Sequence, residues 1–154
     1  MVDNSNSLLC YNLTNPEKEK FYKSVIDENL DLFISYLSGN KDRKPFNIFE
    51  EVSQPGYKWT VFHYAMHYGK WDIIKYIFEY LTILDLLDKA LKMKTKDNRC
   101  PLLCLLKSNA LNPEEKEIIF SDILKNFDIP ISNEVKEELY KRNMQDLLSA
   151  NIMF

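Results

Sequence analysis

The chain repeats itself, and no other property narrows its fold so far. Sliding the sequence by 41 positions (24 onto 65) brings Phe21 onto Phe62, Ser24 onto Ala65, Leu30 onto Trp71 and Asp31 onto Asp72. Leu32, Phe33, Tyr36 and Leu37 then fall on Ile73, Ile74, Ile77 and Phe78. A further 40 positions (65 onto 105) bring Pro101 onto Val61, Leu102 onto Phe62 and Leu105 onto Ala65. Ile119, Phe120, Ile123 and Leu124 supply the second apolar set of that third unit, behind an inserted loop around residues 108–113. A weaker echo sets Asn143-Met-Gln-Asp-Leu-Leu148 against Gly69-Lys-Trp-Asp-Ile-Ile74. A period of this length marks an array of one small unit that is stabilised by stacking on its neighbours.

Each unit reads as two short helices. The apolar positions fall at helical spacing on both sides of Gly69, and that glycine separates the two runs. Asn15-Pro16-Glu17 is a helix start: a capping residue, proline at the first helical position, then an acid at the positive helix end. Gly39 closes the second helix of the first unit. Only 3 glycines and 6 prolines interrupt the 154 residues, which favours helices over a sheet rich in tight turns. Residues 41–58, with Pro45, Pro55 and Gly56, read as a connector holding a short helical piece at 48–52. A further helix is expected over 83–93, followed by a turn at Asp97-Asn98-Arg99. The expected fold is all-α. Helix pairs near 16–38, 60–80, 101–125 and 135–150 stack in one domain of about four units over 16–154, the last a polar cap, behind a loose segment over 1–15.

Thr60-Val-Phe-His-Tyr-Ala65, then Gly69, then Asp72-Ile-Ile74, resembles the ankyrin repeat: threonine, proline, leucine, histidine, any residue, alanine, then glycine, then an acid and two aliphatics. Asp97-Asn-Arg-Cys-Pro-Leu102 resembles the same repeat's hairpin and helix start, with cysteine in the place of threonine. The spacing near 40 exceeds the usual ankyrin period of about 33, and Glu28 stands where the repeat has glycine. The resemblance implies an ankyrin-like solenoid, a hydroxyl cap from Thr60, hydrogen bonds from His63 that tie neighbouring loops, and close helix approach at Ser24 and Ala65. It also implies a protein-binding face on hairpin tips and first helices. Here those places carry Tyr57, Lys58, Tyr64, His67 and Tyr68, and in the third unit Arg99, Leu103 and Cys104.

Composition argues against the common alternatives. The 20 basic and 23 acidic residues leave a net charge of -3, with no long-range field to attract a phosphate backbone, so nucleic acid is not the expected partner. No apolar run reaches the roughly 18–20 residues of a bilayer span. The N-terminus lacks the basic start and apolar run of a secretory signal. Cys10, Cys100 and Cys104 are too few and too oddly spaced for a disulfide scaffold. These features fit the cytoplasm.

Catalytic chemistry is sparse. Three scattered glycines make no phosphate loop. His63 and His67, four apart, share a helix face and a spacing zinc can use, but no third ligand stands out. Cys100 and Cys104 read as small core hydrophobes. The expected function is a non-catalytic protein-protein interaction module, an adaptor or a subunit of a larger assembly, without cofactor, metal or small-molecule substrate. Its aromatic anchors, Tyr57 and Tyr64 above all, suit protein recognition. The alternatives are a regulatory ankyrin segment of a larger channel or enzyme, which the apolar end Ile152-Met-Phe154 favours, and a small metal-dependent enzyme. The Asn-, Lys- and Ile-rich flavour resembles ankyrin proteins of single-celled eukaryotes, which extends the expectation to a ciliary or cytoskeletal assembly.

Overall fold

The computed structural model describes residues 16–39, 41 and 44–148, so the segment 1–15 and the end 149–154 lie outside it. Among the described residues every regular element is an α-helix and there are no strands. In chain order these are α1 (Pro16–Ile26), α2 (Leu30–Ser38), α3 (Val61–Tyr68), α4 (Trp71–Ile83), α5 (Leu87–Leu91), α6 (Pro101–Leu106), α7 (Pro113–Asn126) and α8 (Asn133–Lys141). Residues 146–148 are helical as well.

The pairing follows the repeat. α1 packs on α2, α3 on α4, and α6 on α7. The first helices also form a row, with α1 against α3, α3 against α6 and α6 against α8, while α2 lies beside α4. Most of the matched apolar positions are the core: Phe21, Val25 and Phe33 in the first unit, Ala65, Ile73, Ile74, Ile77 and Phe78 in the second, and Leu105, Phe120 and Ile123 in the third are all fully buried, whereas Leu32, laid over Ile73, is 39% exposed. Close helix approach explains the small residues. Ser24 and Ala65 are 1% and 0% exposed, and the Ser24 hydroxyl donates to the Phe21 carbonyl rather than being left unpaired.

The turns repeat too. Glu28, Gly69 and Asn143 all have left-handed backbones, with φ of 51°, 64° and 57°. At each the next residue's N–H reaches back five residues: Asn29 to Ser24, Lys70 to Ala65 and Met144 to Leu139, at 2.9, 3.0 and 2.8 Å. These bonds satisfy carbonyls that the helix end leaves open. The third unit lacks this turn; α6 ends at Lys107 with φ −93°, and residues 107–112 carry the chain to α7.

Two expected helices differ. Residues 48–52 form no helix: Asn47 accepts the Phe49 N–H on its side chain and the Glu50 N–H on its carbonyl, which makes a single turn. The stretch 83–93 is divided, because Asp85 takes a left-handed φ of 58° and ends α4 before α5 begins. Ile48 and Val52 are still buried, so the apolar pattern there reports burial and not helicity. Trp71, the counterpart of Leu30 in the overlay, is half-buried against the core, as Leu30 is.

Candidate interaction surface

The second unit's first helix starts with an unusual cap. Thr60 precedes α3, and its hydroxyl accepts the His63 N–H at 3.4 Å. In return His63 Nδ1 accepts the Thr60 backbone N–H at 3.1 Å, so histidine fills the role glutamate plays in a capping box. His63 Nε2 lies 2.9 Å from the Met93 carbonyl, which can only accept, so Nε2 carries the proton and the ring is neutral. Charging it would put a second N–H against the Thr60 donor. Burial is the largest cause that lowers the His63 pKa from 6.5 to about 4, opposed by the Met93 carbonyl and Asp97.

This histidine joins two units. Met93 follows α5, and two residues later the chain forms the hairpin of the third unit. Lys96 N–H donates to the Tyr57 carbonyl at 2.9 Å, tying that hairpin to the second unit's. The hairpins share a design. Lys58 and Asn98, forty positions apart, both have φ of 64°. A hydroxyl braces each: Trp59 N–H donates to Ser53 Oγ at 3.1 Å, and Arg99 N–H to Thr95 Oγ1 at 3.2 Å.

The residues expected to meet a partner divide in two. Tyr57 is half-buried, with the Lys96 ammonium 5.2 Å from its ring centre. Lys58 is exposed at the tip, and its N–H donates to the Glu51 carboxylate. His67 and Tyr68 are half-buried at the end of α3, their rings edge to face at 4.7 Å. Arg99 is half-buried and pairs with Asp97 at 3.2 Å. These five belong to one run of hairpins and first-helix ends.

Tyr64 and Leu103 do not face outward. Tyr64 is 2% exposed, held between Tyr22 of α1 and Trp59, each with ring centres 4.8 Å away. Leu103 is 3% exposed and Cys104 is fully buried, because α6 packs against α3, α5, α7 and α8 at once. Four neighbours leave a six-residue helix no free side. Trp59 is the other surprise, buried at 4% exposure under the ring of His67 at 5.5 Å. The aromatic crowding of this unit is therefore core first and surface second.

The metal and nucleophile arrangements find little support. Both nitrogens of His63 are committed to Thr60 and Met93, which leaves no lone pair for a cation. Among the described residues no three groups of ligand type stand together to hold a metal. Cys100 and Cys104 are buried, and burial raises both thiol pKa values, that of Cys104 strongly. A thiol kept protonated is a poor nucleophile. Among the described residues no helix is long and apolar enough to cross a membrane.

Sequence reasoning missed one charged residue whose side chain is mostly covered. Lys116, in the first turns of α7, is 5% exposed as a residue, its aliphatic stem packed inward and its backbone N–H donating to the Asn112 carbonyl at 3.2 Å. It was concealed in the charged run Glu114-Glu-Lys-Glu117, where a lysine reads as solvated. The signal available was spacing: Lys116 stands three and four residues before Ile119 and Phe120 and so shares their inward face.

Comparison of this chain with protein-family models, with curated proteins and with solved structures gives no match.

Proposed function

We propose that this chain is an ankyrin-type stack of helix pairs that serves as a non-catalytic platform for another protein. One observation supports the reading most: the Lys96-to-Tyr57 bond, which ties consecutive hairpins whose tips share a left-handed residue. Hairpins joined in this way make a rigid edge, and half-exposed aromatic and cationic side chains stand along it. Tyr57, Lys58, His67, Tyr68 and Arg99 are of the kinds that recognition surfaces favour. Tyr64 and Leu103 belong to the scaffold instead. The committed His63 ring and the protonated, buried thiols favour a role without catalysis. The resemblance of the second unit to ankyrin repeats extends the proposal to an adaptor or subunit of a cytoplasmic assembly.

The test is affinity capture of the tagged protein with quantitative mass spectrometry, beside melting curves. A partner retained by the wild type should fall roughly thirtyfold with the Tyr57→Ala, Tyr68→Ala pair, as for two anchors worth about 2 kcal/mol together. The melting temperature should change little. Retention that ignores both substitutions removes this surface from the reading, and failure to retain any protein in stoichiometric amount removes the reading itself.

A second reading is a regulatory repeat segment of a larger channel or enzyme. It draws on a cavity of about 530 Å³ between the end of α7 and α8, whose lining includes Leu124, Phe127, Ile129, Ile131 and Leu148. A recess of mixed polar and apolar lining at the end of a stack, with Lys125, Asp128 and Lys136 beside those apolar side chains, is where a further unit would pack.

A further inference from the structure

The end of α4 leaves apolar side chains uncovered. Ile83 is 84% exposed and Leu84 47%, just before Asp85 turns the chain with its left-handed φ of 58°. A groove of about 450 Å³ runs between this turn and the connector, and Phe46, Phe49, Tyr80, Leu84 and Leu86 form much of its wall. Asn47 and Lys89 add polar groups to the lining, and the Lys89 ammonium stands 4.9 Å from the centre of the Phe49 ring. Adjoining exposed apolar groups of this kind are a mark of contact surfaces.

The chain enters the stack beside this groove. Lys18, in the first turn of α1, has its ammonium 3.9 Å from the Glu50 carboxylate. Phe21 of the same helix stacks on Phe46, with ring centres 4.8 Å apart. The start of α1 therefore lies against the connector that makes one wall. Ahead of Pro16 the sequence holds the apolar run Leu8-Leu-Cys-Tyr11, set between the polar stretches Asp3-Asn-Ser-Asn-Ser7 and Asn12-Leu-Thr-Asn15. Cys10 stands six positions before Pro16 (16 minus 10), an extended reach of about 20 Å. A segment tethered so closely meets the groove at an effective concentration in the millimolar range. A second copy or a separate partner matches that only when it is very abundant.

We propose that this chain's own segment 1–15 straps the groove, with Leu8, Leu9 and Tyr11 laid against its aromatic and aliphatic wall. Tyr57, Lys58, His67, Tyr68 and Arg99 take no part in that lining, so the strap leaves the interaction edge open.

Cys10 lies inside the run and serves as the reporter, since Cys100 and Cys104 are buried. Full-length Leu84→Cys is treated with oxidised glutathione and mapped by peptide mass spectrometry. A disulfide from Cys10 to the introduced thiol should form within one molecule about tenfold faster, or more, than in Lys75→Cys, an exposed position earlier on α4. The bond needs Cα atoms within about 7 Å, so a preference between two exposed positions reports docking and not mere reach. Adding Leu8→Asp and Leu9→Asp should remove the preference. In the otherwise unchanged chain the same two aspartates should raise the fluorescence of added anilinonaphthalene sulfonate, because the groove is uncovered, at constant helix content by circular dichroism. Equal rates at the two positions overturn the proposal, as does dye fluorescence that ignores the aspartates. A disulfide joining two molecules overturns it as well, and gives the groove to a second copy.

Discussion

The first and second units present the same left-handed turn to different neighbours, and each turn residue suits what lies next to it. At Gly69 the third unit's inserted loop folds back, and a Cβ there would come within 2.9 Å of both Ile119 and Leu111. At Glu28 the neighbouring element is instead the start of α4, whose capping position Lys70 provides no side-chain bond. The Glu28 carboxylate crosses from one unit to the next and accepts the Asp72 N–H at 3.0 Å. Glycine is kept where the next unit presses in. Glutamate is tolerated, despite its left-handed φ, where it can cap the next unit's helix.

Gly69→Ala should break the comparison hardest. A left-handed alanine costs about 1–2 kcal/mol, and overpacking against Ile119 and Leu111 adds about 1–3 kcal/mol, for a total near 3 kcal/mol by denaturant unfolding. Adding Leu111→Ala should recover part of the packing share in a double-mutant cycle. Strict additivity would mean that the loop does not press on this turn.

Acid should act mainly through the second unit, because the first has Tyr22 in the place of His63. A base whose folded pKa lies below its unfolded value takes up a proton on unfolding, so acid favours the unfolded chain. The His63 contribution is whole above pH 6.5 and is lost as pH falls toward about 4. Over that interval it amounts to about 2–3 kcal/mol. Stability measured against pH should be flatter for His63→Gln than for the wild type. An equal slope would place the acid sensitivity elsewhere.

The smallest effects belong to the first turn. Glu28→Ala keeps the strained backbone and loses the cap, so it should cost about 1 kcal/mol. Glu28→Gly loses the same bond but relaxes the left-handed φ, and should fall within a few tenths of a kcal/mol of the wild type. Equal losses for the two variants would show that backbone strain at this turn is negligible.

Helix pairs and buried rows were legible because they depend on periodicity. Phe21 and Phe62, or Phe33 and Ile74, lie on the inner face at any unit length, since the helical repeat alone puts them there. Position 28 was legible as the counterpart of Gly69 for the same reason. The exposure of Tyr64 was not: it depends on α1 bringing Tyr22 against it and on the hairpin placing Trp59 beneath it. Of the expected surface residues, the hairpin positions Tyr57, Lys58 and Arg99 stay accessible, because tips project beyond the stack. Leu103 disappears because its helix is enclosed on every side.

The sequence alone determined the all-helical class, the register of the apolar faces, and the turns at 28, 69 and 143. These follow from spacing along the chain, with local backbone preference adding to it at Gly69 and Asn143 but opposing it at Glu28. Tertiary structure decided which charged and aromatic groups meet. The Glu28 cap on α4 and the Lys96-to-Tyr57 tie each join residues from different units. Burial and electrostatic pairing depend on distances across the stack, and those are set only when the units pack.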